Sequence, residues 1–276
     1  PMSQFNLKNY KHLLHHAKNA GYNFIFFDQI SNFSHKDHSG FGKNIVDCNQ
    51  SANLILRHVI DADLNAACKM AKEEAEIGIQ STYFLMWRSP CYNLMSRSNH
   101  QYVELILEMG HQIGLHYDQG FDALRNPTTV ETSLMVKKQA DWMEDLFSTK
   151  ISSVSFHQPS SSLLQEGIDC GKRINTYDRL KLANYNYISD SNRVFPIWQN
   201  SSNESENVSS VMALADIFPN NVQLLIHPMW WVYDNETTEE VWDSVVFCNI
   251  KNTLRQLTKT ERAYGPQCDI FVSPRK

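Results

Sequence analysis

From residue 54 onward, short apolar runs alternate with segments of helical periodicity, and this alternation constrains the fold more than any other feature of the chain. The runs at 54–60, 81–86 and 111–116 are typical of buried strands. The segments between them repeat apolar residues at helical spacing and end at Gly78 and Gly110. Because strands joined by helical crossovers lie parallel, the alternation predicts an α/β fold, either an open parallel sheet or a (β/α) barrel.

The same pattern extends to both sides of this region. A helix is predicted over 7–20, a buried strand at 22–27 and a further helix over about 131–147. Later strands are expected at 152–157, 184–189, 222–227 and 269–273. Pro1, which precedes Met2, is interpreted as the remnant of a removed tag, so one domain is expected to span residues 2–276.

Composition and charge exclude several classes of protein. The net charge of −5 comes from interspersed acidic and basic residues, which gives no basic surface for a nucleic acid. No apolar run is long enough for a membrane span or for the core of a signal peptide, so a cytoplasmic location is expected. The six cysteines form no CxxC pair and are interpreted as reduced thiols.

Polar residues follow the predicted strands at four places. Asp61 comes after the first strand of the alternating region, and His116, His157 and His227 end three later strands. A single histidine at such a position is usually a hydrogen-bonded core residue. Since parallel strands gather their carboxyl ends at one rim, however, the recurrence predicts a shared site. Histidine and aspartate suit Zn²⁺ or a similar divalent ion, which needs about three protein ligands and an open position for water.

Five segments, taken in order, carry a resemblance to a known family: LILRHVIDADLNAACKMAKEEAEIGIQSTYFLM, GHQIGLHYD, SFHQPS, NYISDSNR and LLIHPMWW. They resemble the NodB-homology polysaccharide deacetylases, which are carbohydrate esterase family 4-like. The most similar branch has an Arg-His-Asp-x-Asp first motif and belongs to bacterial surface-polysaccharide loci. The resemblance runs from about residue 7 to 231. It implies a distorted (β/α) barrel with one divalent metal, usually zinc, that hydrolyses the amide of an acylated amino sugar.

The resemblance also implies roles for individual residues. Asp61 and His116 match metal-ligand positions, and His157 is a candidate third ligand. His227 matches the general acid on a late strand. A second aspartate of the first motif is expected to act as the general base, and which of the two aspartates is base and which is ligand stays open.

Two positions depart from the family pattern. Gly120 stands where a second histidine of the helix-spaced pair is expected, so His157 or Asp118 must complete the metal shell. Val59 stands where the first aspartate of the motif is expected, and valine can neither bind a metal nor accept a proton. Either Asp61 or Asp63 replaces the missing carboxylate, or the chain is catalytically inactive, by nature or by a deliberate change.

Other residues are candidates for substrate binding. Trp230 and Trp231 could form an apolar platform for a sugar ring, with core packing as the alternative. Asp190 and Arg193 follow a strand and could orient the acid or bind a substrate phosphate, with turn capping as the alternative. Arg57 could attract an anionic substrate such as a sugar nucleotide, with an ion pair to a neighbouring aspartate as the alternative.

The sequence therefore leads to two functional hypotheses. The first is a metal-dependent amide hydrolase that removes an acetyl or formyl group from an amino sugar or sugar nucleotide, acting on a small precursor in surface-polysaccharide synthesis. Val59 makes inactivation of this chain part of that hypothesis. The second is a non-catalytic carbohydrate-binding protein with the same fold.

Overall fold

The computed structural model describes residues 4–30, 52–121, 127–193 and 221–264. Its eight strands are β1 Asn23–Phe24, β2 Asn53–Ile60, β3 Thr82–Leu85, β4 Gln112–Asp118, β5 Ser153–His157, β6 Ile174–Asn175, β7 Asn186–Ser189 and β8 Asn221–Ile226. Its α-helices are α1 Leu7–Asn19, α2 Leu64–Glu76, α3 Arg97–Glu108, α4 Thr129–Phe147, α5 Ser161–Glu166, α6 Pro228–Val232 and α7 Thr238–Thr260. The strand expected at 269–273 lies outside the described residues.

All strands belong to one parallel sheet with the order β6-β5-β4-β3-β2-β8-β7, and β1 pairs with the start of β2. The sheet curls so that its two edges approach each other, and side chains connect them. The amide of Gln223 on β8 donates a hydrogen bond to the carbonyl oxygen of Thr176 after β6, at 3.2 Å. The rings of Tyr177 and Tyr187 lie 6.4 Å apart across the same gap. The prediction of an α/β distorted barrel is therefore confirmed.

The inside of the curl is a small apolar core. Phe27, Ile55, Val59, Phe84 and Leu225 pack together there, and the edge of the Phe27 ring meets Phe84 at 5.8 Å. Four of these residues lie at inward-facing strand positions, because side chains alternate between the two faces of a strand. Phe27 joins them from the turn after β1. This apolar layer lies beneath the carboxyl ends of the strands and supports whatever binds there.

The outer face of the sheet is covered by helices. Alternate residues of β2 and β8, such as Leu54, Leu56 and Leu224, pack against α1, α6 and α7. Outward residues of β3, β4 and β5 pack against α2, α3 and α4. No helix within the described ranges is long and apolar enough to cross a membrane.

The strand expected at 22–27 is shorter than predicted. Only Asn23 and Phe24 pair with β2, and Phe27–Gln29 form a 3₁₀ turn. β3 pairs with β2 from Arg57 onward, which leaves no free edge there for a longer strand. The buried side chain of Phe27 instead closes the inside of the barrel.

Candidate metal centre

Asp61 directly follows β2, and hydrogen bonds fix the backbone around it. The hydroxyl of Tyr92 donates to the carbonyl oxygen of Ile60 at 2.8 Å. The hydroxyl of Ser89 donates to the carbonyl oxygen of Asp61 itself at 2.6 Å. Since both donors come from the loop after β3, this loop holds the end of β2 and sets the direction of the Asp61 side chain.

His116 and His157 meet Asp61 at the same rim. His116 shares the inward face of β4 with Gly114, and His157 ends β5. The carboxylate oxygen Oδ1 of Asp61 lies 3.2 Å from Nε2 of His116 and 3.3 Å from Nδ1 of His157. All three candidate ligand atoms lie within 4.8 Å of one another. We call these three residues the Asp61 cluster.

This arrangement fits a divalent ion. Oδ1 of Asp61 is buried and has no hydrogen-bond partner in the described part of the chain, although two ring nitrogens are close to it. Two ligands of a tetrahedral zinc ion, each at about 2.1 Å, are separated by about 3.4 Å, which is close to both observed distances. An oxygen and two imidazole nitrogens also form a donor set that zinc prefers. The cluster is therefore a candidate metal site with three protein ligands.

The electrostatics of the cluster favour the ligand forms of Asp61 and His116. Burial would raise the pKa of Asp61, but the close contacts with His116 and His157 outweigh it and hold the pKa well below its ordinary value. Burial also lowers the pKa of His116. The contact with Asp61 raises the pKa of His157, and a bound cation would oppose that protonation.

His227 faces the cluster from β8 and is held from behind by Asp190. Nδ1 of His227 donates to Oδ1 of Asp190 at 2.5 Å, since a carboxylate can only accept. Asp190 also accepts bonds from the backbone N–H of His227 and, at 2.8 Å, from the indole of Trp231. Nε2 of His227 is thereby turned toward Asp61 and lies 3.9 Å from its Oδ2.

The same carboxylate sets the charge of this histidine. Burial would lower the pKa of His227, but the charge and hydrogen bond of Asp190 outweigh it and raise the pKa above its ordinary value. His227 therefore carries a proton at a higher pH than a solvent-exposed histidine does. A protonated Nε2 beside a metal site can donate to a leaving group.

Neither Asp61 nor Asp63 replaces the carboxylate that is missing at position 59. Asp61 already belongs to the cluster. The Val59 side chain is buried and lies in the apolar inner core. Asp63 turns away, because it caps α2 through the N–H of Asn65 and accepts a hydrogen bond from the hydroxyl of Tyr233 at 2.5 Å. Asp118 is likewise occupied in a turn, where it accepts from the N–H of Gly120. Of the two alternatives for the third ligand, His157 is the one that reaches the cluster.

The cluster opens into a cavity of about 550 Å³. This volume is in the range of small-molecule sites. Asp61 is the single carboxylate among the described residues that line it. Its floor is formed by Val59, Tyr177, Tyr187 and Leu225, which we call the cavity floor, and Trp230 and Trp242 form an aromatic wall.

The five predicted substrate-binding residues are placed differently from one another. Trp230 lines the cavity, with its ring 6.4 Å from that of His227. Trp231 instead lies in the core, packed on Phe5 and Tyr10, because its indole N–H bonds to Asp190.

Asp190 is fully buried and touches His227 rather than the cavity. Arg193 donates to the carbonyl oxygens of Asn235 and Glu236, and it joins two loops outside the cavity. Arg57 lies under the cavity floor, with no ion pair to Asp61 or Asp63.

Tyr177, Tyr187 and Trp242 also line the cavity, and none of them was predicted from the sequence. Tyr177 follows a strand of two residues, which is too short for a periodicity to show. Trp242 lies in the first turns of α7, a helix that was not predicted either. The capping box formed by Thr237 and Glu240 is a sequence signal that predicts the start of this helix.

No protein-family model matches the chain, and no curated protein matches it. Among solved structures, it is similar to the peptidoglycan deacetylase PdaC from Bacillus subtilis, at 12% identity, over 76% of this chain and 99% of that chain, with a TM-score of 0.42. A CE4 esterase from Streptococcus mutans is similar at 15% identity, over 76% of this chain and 84% of that chain, with a TM-score of 0.42.

A third similar structure is a mutant of BA3943, a CE4 family pseudoenzyme from Bacillus anthracis, with restored enzymatic activity. The identity is 11% and the TM-score 0.38, and the match covers 72% of this chain but 63% of that chain, which is less than two thirds of its length. Likeness at this level assigns neither family membership nor an activity to this chain.

Proposed function

We propose that this chain is a metal-dependent amide hydrolase of acylated amino sugars in which the general base has been lost. The observation that carries the proposal is the position of the Asp61 cluster opposite His227 across one cavity. A three-ligand metal site beside a protonated imidazole has the parts that amide hydrolysis requires on the leaving-group side.

Each part has a chemical task in this proposal. Asp61, His116 and His157 would hold the ion, which when bound polarises the amide carbonyl and activates water. Nε2 of His227 donates its proton to the departing amine, which is otherwise a poor leaving group. Asp190 keeps that imidazole oriented and charged through Nδ1. Trp230 and Trp242 exclude water and offer apolar surface to a sugar ring.

Val59 sets the limit on activity. A base at this position would take the proton of the attacking water, and a buried valine cannot do so. The second candidate function, a carbohydrate-binding protein without catalysis, is favoured by the same observation, since Val59 packs well in the inner core. The two candidates share a ligand and differ in whether a carboxylate at position 59 creates activity.

The test is the substitution Val59→Asp in zinc-loaded protein, with release of free amine from N-acetyl and N-formyl amino sugars as the measurement. We expect a rate increase of roughly 10²- to 10⁴-fold over the unsubstituted chain, the typical contribution of a general base. The matched control is Val59→Asn, because asparagine has nearly the shape of aspartate but accepts no proton at neutral pH.

Each outcome separates the candidates. Activity in the aspartate variant alone supports the hydrolase. Equal rates in the aspartate and asparagine variants would contradict a base at this position. Amino-sugar binding without amine release in either variant would favour the binding protein.

The proposal also includes the family branch, the metal, the substrate and the location of the protein. The Arg-His-Val-Ile-Asp segment at 57–61 and the LLIHPMWW segment support membership of the NodB-homology branch with an Arg-His-Asp-x-Asp motif. We propose zinc as the metal, a sugar or sugar nucleotide precursor of a bacterial surface polysaccharide as the substrate, and the cytoplasm as the location. The domain boundary at 2–276 stays a prediction.

A further inference from the structure

Arg57 is a fully buried cation that has no counter-ion among the described residues. Its guanidinium has no solvent exposure, and both Nε and Nη1 lack hydrogen-bond partners in the described part of the chain. An uncompensated charge in a protein interior is costly, so a buried arginine is normally paired with a carboxylate or another acceptor. This arginine has instead three aromatic rings around it, with the centroids of Tyr177, Tyr187 and Phe84 at 4.9, 5.5 and 5.9 Å.

Among the described residues, Arg57 makes one side-chain hydrogen bond, and it leads into the cavity. Nη2 donates to the hydroxyl oxygen of Tyr177 at 3.1 Å. Because the oxygen of Tyr177 accepts this bond, its own O–H can donate, either to the neighbouring hydroxyl of Tyr187 or to a ligand in the cavity. The adjacent positive charge makes it a stronger donor. Tyr177 and Tyr187 both belong to the cavity floor, so the charge of Arg57 acts on the cavity through them.

The position of Arg57 beneath the floor follows from the strand. It precedes Val59 by two residues on the same inward face of β2, which corresponds to about 7 Å along the strand. Val59 contributes no charge at the level of the floor. Asp61 above it is engaged with two imidazoles. Arg57 therefore contributes a positive field at the floor, which favours an anion there.

We infer that the cavity floor is a subsite for an anionic oxygen of the substrate, a phosphate or carboxylate group on the acylated amino sugar. Tyr177 donates its hydroxyl to that oxygen, and Arg57 supplies the charge from below. Tyr177 is then a specificity-determining residue that selects anionic over neutral amino sugars. The inference rests on the proposed function in that it takes this cavity to be the sugar site.

The test is a calorimetric titration of the full chain with N-acetylglucosamine, its 1-phosphate and its 6-phosphate, with inorganic phosphate as the fourth ligand. A chelator is present so that a metal ion does not compete for the anion. We expect at least one sugar phosphate to bind roughly tenfold tighter than the neutral sugar, the contribution of one hydrogen bond to a charged group. In Tyr177→Phe this preference should largely disappear, while affinity for the neutral sugar is retained.

Tyr185→Phe is the matched control, since Tyr185 packs beside the inner core but does not line the cavity, and it should keep the preference. Equal affinity for all three sugars in the unsubstituted chain would overturn the inference, and so would a preference that survives in Tyr177→Phe. Inorganic phosphate that binds as tightly as the sugar phosphates would overturn the assignment to a substrate group. Absence of amine release in the earlier experiment bears on the proposed function and leaves this result intact.

Discussion

Among the described residues, two regions contain a carboxylate with two histidines, and one of the two is built like a ligand site. The Asp61 cluster lies at the carboxyl ends of the strands. A second group, which we call the Glu74 cluster, consists of Glu74 on α2 and of His58 and His111, and it lies between that helix and the outer face of the sheet. His58 and His111 are 2.8 and 3.6 Å from the carboxylate oxygens of Glu74, similar to the distances in the Asp61 cluster.

Hydrogen bonding separates the two clusters. Both carboxylate oxygens of Glu74 accept bonds from hydroxyl groups, those of Tyr10, Ser81 and Tyr83, and the side chain is wholly buried. Oδ1 of Asp61 has no hydrogen-bond donor among the described residues, and its side chain is 20% exposed toward the cavity. A satisfied carboxylate stabilises the fold, whereas an unsatisfied one with nearby imidazoles has capacity left for a cation.

The largest effect is expected from Glu74→Ala. This substitution leaves the hydroxyl groups of Tyr10, Ser81 and Tyr83 buried without their acceptor and removes the carboxylate beside the buried His58 ring, so the free energy of unfolding should fall by about 3–5 kcal/mol. Urea denaturation measures it. Glu73→Ala, which removes a partly exposed partner of Lys11, is the control and should change stability by less than about 1 kcal/mol. Loss of metal binding in Glu74→Ala, with the fold intact, would break the distinction between the clusters.

The next effect concerns the metal. Asp61→Asn should weaken zinc binding by on the order of 100-fold or more, since it removes a charged ligand. Competition with a chromophoric chelator measures the affinity. Asp63→Asn is the matched control, because asparagine also caps a helix and Asp63 is outside the cluster. Equal zinc affinity in the two variants would show that Asp61 is not a ligand.

A smaller effect is expected from pH. Burial would raise the pKa of Glu74, but the histidines and Ser81 outweigh it and lower the pKa below its ordinary 4.5. Burial lowers the pKa of His111 below 6.5. Both groups contribute stability that is present above their unfolded pKa values. The contribution of His111 is therefore lost as the pH falls below 6.5, and that of Glu74 as it falls below 4.5.

Chemical denaturation across this pH range measures the loss. In Glu74→Gln the decrease below pH 4.5 should be shallower than in the unsubstituted chain. His157 and His227 have raised pKa values, so their contribution has the opposite sign and is lost as the pH rises. They are present in both proteins, and the comparison cancels them. Identical pH profiles would contradict the assignment to Glu74.

The smallest effect is expected from Tyr83→Phe. The hydroxyl of Tyr83 donates to the Glu74 carboxylate at 3.0 Å, and its loss should cost about 1.5 kcal/mol while the ring keeps its packing. The midpoint of urea denaturation measures it. A loss as large as that of Glu74→Ala would mean that the hydroxyl, rather than the carboxylate, organises the cluster.

The sequence by itself predicted six of the seven strands from β2 to β8, all but the two-residue β6, and four polar residues that the structure brings together. Apolar runs separated by amphipathic segments specify strands and helices locally, and parallel strands bring Asp61, His116, His157 and His227 to one rim. The long helix α7 was missed, although its capping box is visible in the sequence, and the strand at 22–27 was predicted too long.

Tertiary structure alone decided which polar residues have unused bonding capacity. A strand pattern gives the face of a side chain but not its hydrogen-bond partners, which come from distant segments. Asp61 and Asp63 are two residues apart. Asp63 accepts a hydrogen bond from Tyr233 at the C-terminal end of α6, whereas Oδ1 of Asp61 has no donor among the described residues and can bind a cation. Likewise, only the curling of the sheet brings Tyr177 and Tyr187 over Arg57, because their contacts depend on the approach of its two edges.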